Sequence, residues 1–318
     1  MCQLLMGTSR KNNIVEMEGD CFYEQNPPFN FGGLDPEYSN FRDSWAVIVP
    51  VPYDSTTTYQ PGTRNGPSQI ILASQQLELY DEEVGIEIYE KGICTLSPVN
   101  PNVSSPEKMV KKVQNIFYYL RQCNKLPVLV GGEHLVSVGA IRAFAEDIDL
   151  KIVHFDAHAD LRRSYQGSEY SNACVMRLVS DNCDFITVGV RSISWGEHKY
   201  IKENNIRCVY ARDVIENREK ALEDILEFAQ GKVYITIDLD VLDPSIMPAV
   251  GTPEPGGLGW YDLTYLLKHL CGRCEIVGFD VVELLPLPGN IAPDFLAAKL
   301  IYKMLAYSGY YLDKKINL

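Results

Sequence analysis

The sequence is short of positive charge, of long apolar runs and of any patterned cysteine framework, and each shortage narrows what the chain can be. Among 318 residues, 29 Lys and Arg face 42 Asp and Glu, for a net charge of −13. A surface of that sign repels phosphate backbones, which argues against a nucleic-acid partner and leaves a small cationic substrate unopposed. No apolar stretch approaches the ~18 residues of a membrane span, so no membrane partner is expected. The opening Met1-Cys2-Gln3-Leu4-Leu5-Met6 lacks the basic region and long apolar core of a secretory signal. Nine cysteines, an odd number at scattered spacing, read as reduced thiols of a cytoplasmic protein. Only Cys271-Gly-Arg-Cys274 has the spacing of a metal or redox pair. With no second such pair, it reads as two ordinary thiols where a helix hands over to a strand. Apolar residues at 46% and charged residues at 22% exclude disorder and collagen-like repetition.

What the chain does have is a regular alternation. Residues 1–44 are rich in Asn, Gly, Pro and aromatics without periodicity and read as an N-terminal arm or surface cover. From Trp45 onward short β-branched runs predict strands: Ala46–Pro50, Pro127–Val130, Lys151–Phe155, Phe185–Val188, Val233–Ile237 and Glu275–Phe279. Helical spacing falls between them, at 106–122, 134–146, 197–204, 212–229, 261–270 and 292–307, the first opened by a serine cap and an early proline. Continuous apolar strands alternating with helices predict an α/β fold with a parallel sheet covered on both faces. No linker interrupts the series, so residues 45–318 read as a single domain. In such sheets ligands bind beyond the carboxyl ends of the strands.

The unusual polar residues lie at those ends. Gly131-Gly-Glu-His134 follows one strand, Asp156-Ala-His158-Ala-Asp160 a second, and Asp238-Leu-Asp240 a third, running on to Asp243-Pro244. Residues at i, i+2 and i+4 of an extended segment share a side, so the acids and the imidazole within each motif converge. Alone, either motif is most simply a turn or a packed core group. Together they would crowd unneutralised carboxylates, and two divalent cations would balance four aspartates. Oxygen and imidazole donors without thiolate favour Mn²⁺-like ions, and a pair of them can turn a shared water into hydroxide near neutral pH.

With these motifs the chain resembles the ureohydrolase family of arginases and agmatinases, bacterial agmatinases in particular. Gly131-Gly-Glu-His134, Phe155-Asp-Ala-His-Ala-Asp160, and Ile237-Asp-Leu-Asp-Val-Leu-Asp-Pro244 running into Pro253-Glu-Pro-Gly-Gly257 fit its three signatures. Val51-Pro-Tyr-Asp-Ser55 and Thr58-Tyr-Gln-Pro-Gly-Thr-Arg-Asn-Gly-Pro67 fit the agmatinase-type opening. The resemblance, spanning roughly residues 45 to 310, implies a three-layer α/β/α sandwich around an eight-stranded parallel sheet (arginase-like) and a homotrimer or homohexamer. It implies two Mn²⁺ ions per chain. One would be held by His134, Asp156, Asp160 and Asp238, the other by Asp156, His158, Asp238 and Asp240, with Asp156 and Asp238 bridging. It also implies that Glu283 faces a substrate guanidinium and that Asp160 carries a proton to the leaving amine. His154, within its strand, reads as an ordinary packed histidine, and Asp243 as a turn former.

Two departures bear on the substrate. Where arginases carry acids in a Gly-Leu-Arg-Asp-x-Asp segment, this chain has Gly189-Val-Arg-Ser-Ile-Ser194, and Arg162 replaces a family asparagine, so free arginine is poorly served. Where agmatinases carry a histidine after Ser171, this chain has Asn172, which can orient a substrate but not carry a proton at neutral pH. The expected activity is hydrolysis of a guanidino compound, agmatine first, to urea and an amine. N-aminopropylagmatine and guanidinobutyrate are alternatives, the last wanting a cation from Arg162 or Arg163. An inactive, metal-retaining regulatory homologue is the reading from another class.

Overall fold

The computed structural model describes residues 28–316. Eight strands form one all-parallel sheet: β1 (Ala46–Val51), β2 (Ile93–Thr95), β3 (Leu126–Gly131), β4 (Leu150–Phe155), β5 (Asp184–Val190), β6 (Arg207–Tyr210), β7 (Lys232–Asp238) and β8 (Glu275–Val282). Their order is β2-β1-β3-β8-β7-β4-β5-β6. Among the described residues ten α-helices accompany them: α1 (Pro36–Ser39), α2 (Gly66–Ser74), α3 (Pro106–Gln122), α4 (Ser137–Ala145), α5 (Val175–Val179), α6 (Trp195–Glu203), α7 (Ala211–Glu216), α8 (Arg218–Phe228), α9 (Trp260–Arg273) and α10 (Ala292–Ile316).

Strand alternation divides the core into two. Ile48, Val128, Phe155, Ile235 and Phe279 face α2 and α7–α10, while Val49, Leu129, Ile152 and Tyr234 face α3–α6. Each buried aliphatic side chain contributes about 1.5–3 kcal/mol of transfer free energy, and both faces of the central strands receive it. Covered on both sides, these strands can be apolar end to end, which is the pattern their sequences show. The result is the three-layer α/β/α sandwich expected.

All six expected strands are present. The structure adds the edge strands β2 and β6 and the helices α1, α2 and α5. It also breaks the expected 212–229 helix at Asn217, whose side chain accepts from the Lys220 N–H and starts α8. Of the expected arm, residues 1–27 lie outside the described residues. Within the remainder, Phe31 and Leu34 are buried in the main core. Cys271 and Cys274 sit at the end of α9 as expected, both buried, with the Cys274 thiol donating to the Ala229 carbonyl. Among the described residues, no helix is long and apolar enough to cross a membrane.

The sheet order explains where a site can form. β3, β8, β7 and β4 are adjacent at its centre, and the chain leaves β3 on one side of the pair β8–β7 and returns as β4 on the other. That divergence opens a crevice at the carboxyl edge, and the polar motifs follow these four strands.

Candidate metal centre and active site

The β3 exit is shaped by close approach. A Cβ on Gly132 would lie 2.1 Å from the Tyr53 carbonyl oxygen, so only glycine fits. The backbone then turns, the Glu133 N–H donating to Tyr53 O (2.7 Å), and His134 enters the crevice. Glu133 is buried and accepts from the Thr56 N–H (2.6 Å), and burial pushes its carboxyl up to about 7. Asp54 accepts from the Gly62 and Arg64 backbone N–H groups and pairs with the Arg64 guanidinium. Those bonds fold the 54–64 loop so that Thr57–Gln60 line the cavity.

Around the Nδ1 of His134 stand three carboxylate oxygens: Asp156 Oδ2 at 3.1 Å, Asp160 Oδ2 at 3.3 Å and Asp238 Oδ2 at 3.3 Å. Nδ1 is buried and has no hydrogen-bond partner. A second group adjoins the first through Asp156, whose Oδ1 is 3.4 Å from His158 Nδ1, itself 3.0 Å from Asp240 Oδ2. Asp238 Oδ1 accepts from the Asp240 N–H. Donor atoms spaced this way suit a divalent cation, because ligands at about 2.1 Å in octahedral geometry lie about 3 Å apart. Hard oxygen and imidazole donors with one shared carboxylate fit two such ions side by side.

The electrostatics point the same way. Burial first, then the charges of Asp240 and Asp156, drive the Asp238 carboxyl well above its usual range. Asp160 is pushed up to about 6 by burial and by Asp156. Burial opposes a charge on His134, but Asp156, Asp160 and Asp238 outweigh it and hold the ring well above its usual range. These acids compete for protons that a cation would displace.

Two of the acidic residues are held in the left-handed backbone region, Asp160 at φ 52° and Glu283 at φ 67°. Non-glycine residues there cost about 1–3 kcal/mol and persist where surroundings dictate the conformation. Glu283 is buried, fixed by its own N–H to Gly132 O (2.8 Å) and by the His134 N–H to its Oε1 (2.6 Å).

The crevice opens into a cavity of about 340 Å³ whose lining includes His134, His158, Asp160, Asp238, Asp240 and Glu283 together with Asn172. Every sequence-predicted site residue thus gathers in one place, Asp156 lying just beneath the lining. Asn172 has a mechanical place as well. Its Oδ1 accepts from the Thr58 and Ser171 hydroxyls, and its N–H donates to Thr56 Oγ1, tying the 171–174 turn to the 55–60 loop. Asp243 stays out of the cluster and holds a turn, accepting from the Ser245, Gly256 and Gly257 N–H groups.

Sequence reasoning missed several residues. Ser192 and Ser194 each carry a glutamate: Ser192 Oγ donates to Glu254 Oε1 (2.8 Å), and Ser194 Oγ to Glu197 Oε2 (2.6 Å). Both glutamates line the cavity. Glu254 is set by Arg191, whose guanidinium binds the Glu254 and Asp240 carbonyls at 2.7 Å each. Arg162 lies 4.0 Å from Glu197 and over the Tyr165 ring, and Arg163 is exposed and not among the cavity-lining residues. His154 is packed in the core as expected, but its Nε2 also reaches Asp156 Oδ2 (3.0 Å).

Comparison with known proteins gives these features a context. Residues 44–306 match the model of the arginase family. An N(1)-aminopropylagmatine ureohydrolase of Synechocystis sp. is 36% identical over 87% of this chain and 94% of its own length. A Bacillus anthracis agmatinase is 34% identical over 84% and 93%. Among solved structures, the agmatine ureohydrolase of Thermoplasma volcanium superimposes with a TM-score of 0.81 at 32% identity, covering 87% of this chain and 94% of that one.

Proposed function

This chain belongs to the arginase family, a hydrolase of amidino C–N bonds acting on guanidino compounds, and we propose that its substrate is a polycationic alkylguanidine, N-aminopropylagmatine ahead of agmatine. The products would be urea and the corresponding amine. One observation carries this choice: the cavity wall beyond the metal cluster holds Glu283, Glu254 and Glu197 against the single guanidinium of Arg162. Such a wall suits a guanidinium with ammonium groups along its tail and opposes a carboxylate tail. Arg162, the cation an acidic guanidine would need, is already beside Glu197. The names of the relatives support the same class.

We further propose two Mn²⁺ ions, held by His134, Asp156, Asp160 and Asp238 and by Asp156, His158, Asp238 and Asp240. When bound, such a pair supplies a hydroxide from water at neutral pH. The chain's own residues then do the rest. Glu283, fixed through Oε1, offers its carboxylate to the guanidinium by charge-assisted hydrogen bonds. Asp160, beside the position of that hydroxide, can carry a proton across to the leaving nitrogen. Asn172 aligns the loop over the substrate. Residues 45–318 as one catalytic unit, a homotrimer or homohexamer and a cytoplasmic site complete the proposal.

The test is urea release from N-aminopropylagmatine, agmatine, 4-guanidinobutyrate and arginine, with Mn²⁺ and after metal stripping. The polycations should be turned over only with metal. Glu254→Gln should lower kcat/KM for N-aminopropylagmatine by about tenfold while sparing guanidines without a charged tail, the size of one lost hydrogen bond to a charged group. Preference for guanidinobutyrate or arginine would overturn the assignment, and absence of urea from every guanidine would favour the regulatory reading.

A further inference from the structure

Two residues before Asp156 and Asp238 on their strands, a polar row crosses the middle of an otherwise apolar sheet. Thr236 of β7 is in register with Asp280 of β8 and with His154 of β4, and His154 with Thr187 of β5. All four side chains are 0% exposed. Their neighbours along the strands, Ile235, Val153, Phe279 and Ile186, are buried and apolar. Polar groups this deep cost free energy unless their hydrogen bonds are made, so what they bond is informative.

The row makes two chains of bonds, each ending on a residue of the metal cluster. In the first, the Thr236 hydroxyl donates to Asp280 Oδ1 (2.7 Å). A hydroxyl has one proton, so toward His134 Nε2, 2.9 Å away, the Thr236 oxygen can only accept. The ring proton of neutral His134 therefore sits on Nε2, and the Nδ1 lone pair is left facing Asp156, Asp160 and Asp238. In the second chain, His154 Nε2 donates to Asp156 Oδ2 (3.0 Å), and its Nδ1, 2.9 Å from Thr187 Oγ1, accepts that hydroxyl's proton. The Asp156 carboxylate is thereby held with Oδ2 toward one group and Oδ1 toward the other.

We propose that Asp280, Thr236, His154 and Thr187 form a positioning layer beneath the metal centre, which keeps the Nε2 proton on His134 so that Nδ1 is the nitrogen given up to an incoming ion, and which holds the shared Asp156 in its orientation before that ion arrives. The proposal rests on the metal ligands assigned above. Partners of this kind around metal ligands are worth about 10–100-fold in affinity.

Calorimetric titration of metal-stripped protein with Mn²⁺ tests it. Thr236→Val keeps the shape and removes the oxygen. It should weaken Mn²⁺ binding by about 10–100-fold, and Thr236→Ser, which restores the oxygen, should return it to within about threefold. Metal-free Thr236→Val removes a partner from Asp280 Oδ1 and from the His134 Nε2–H and should unfold earlier than the parent, so affinity is read where the variant is still fully folded, and a layer that served only packing would leave that affinity parent-like. Thr187→Val, read against Thr187→Ser, tests the second chain independently should Thr236→Val fail to fold. Parent-like Mn²⁺ affinity in the folded valine variants would overturn the layer alone. A parent protein that takes up no Mn²⁺ would overturn the ligand assignment and the layer with it.

Discussion

At Asn172 a single residue both departs from the agmatinase pattern and fastens two loops. The Thr58 and Ser171 hydroxyls donate to its Oδ1 and its backbone N–H donates to Thr56 Oγ1, making the residue a strut between the walls of the cavity. A histidine there could not accept from two hydroxyls at one oxygen, and the loop carrying Thr57–Gln60 would loosen. Asn172→His should therefore raise KM for the best substrate by about two- to tenfold, the size of one neutral hydrogen bond, with kcat little changed. Steady-state kinetics across pH decide this. A higher kcat with a new limb near neutrality would instead show that the position had lost a proton carrier. The carboxylates and imidazoles of the cluster were legible in the sequence as polar motifs at strand ends, but they do not converge as neighbours on an extended strand: Asp156 and His158 follow β4, Asp160 is left-handed, and Asp240 lies in a 3-10 turn after β7. Ser192 and Ser194 were legible only as lost acids. That each hands its place to a glutamate dozens of residues away, or one helical turn on, is a fact of folding that spacing does not carry.

Among the helices, α10 is anchored by a buried ion pair. Lys303 is 2% exposed and reaches Asp81 (3.1 Å), Glu83 (2.9 Å) and Glu82 (3.0 Å), while Asp81 is fully buried and also accepts from the Glu83 and Val84 N–H groups. Lys303→Ala leaves that aspartate uncompensated and should cost about 3–5 kcal/mol in denaturant unfolding. The pair Lys303→Met with Asp81→Asn should recover most of the loss. If the single variant unfolds like the parent, the anchor is idle. The central strands announced themselves because burial on both faces demands unbroken apolar runs. β2 is only three residues, and β6 begins on exposed Arg207 at a sheet edge, so neither had such a run to read. The 212–229 periodicity was genuine, but one Asn217 cap was enough to divide it. The polar row of Asp280, Thr236, His154 and Thr187 lay beyond reach for a different reason. It exists only once four strands are in register, and each of its members alone looks like an ordinary strand residue.

For the whole molecule, folding concentrates acid at one edge of the sheet and must hold it there. Asp160 near 6, and His134 well above its usual range, retain protons until a cation displaces them. Protons and Mn²⁺ then compete for the same atoms. Lowering the pH through about 6 protonates Asp160 and opposes binding, and raising it frees first Asp160 and then His134. Mn²⁺ affinity should fall about 10–100-fold between pH 6 and pH 5, up to tenfold for each of the protons displaced from Asp160 and His134, with proton release visible as a buffer-dependent heat of binding. Equal affinity at pH 5 and pH 7 would mean the cluster is already ionised. The left-handed backbone at Asp160 has a further consequence for how such a protein can change over generations. Glycine adopts that conformation without penalty and would remove a buried acid as well, so position 160 is where durability and turnover are opposed. Selection for heat resistance of the metal-free protein alone would drift toward Gly at this position, and the sturdier variants would fall silent. The strained aspartate survives only where turnover itself is selected.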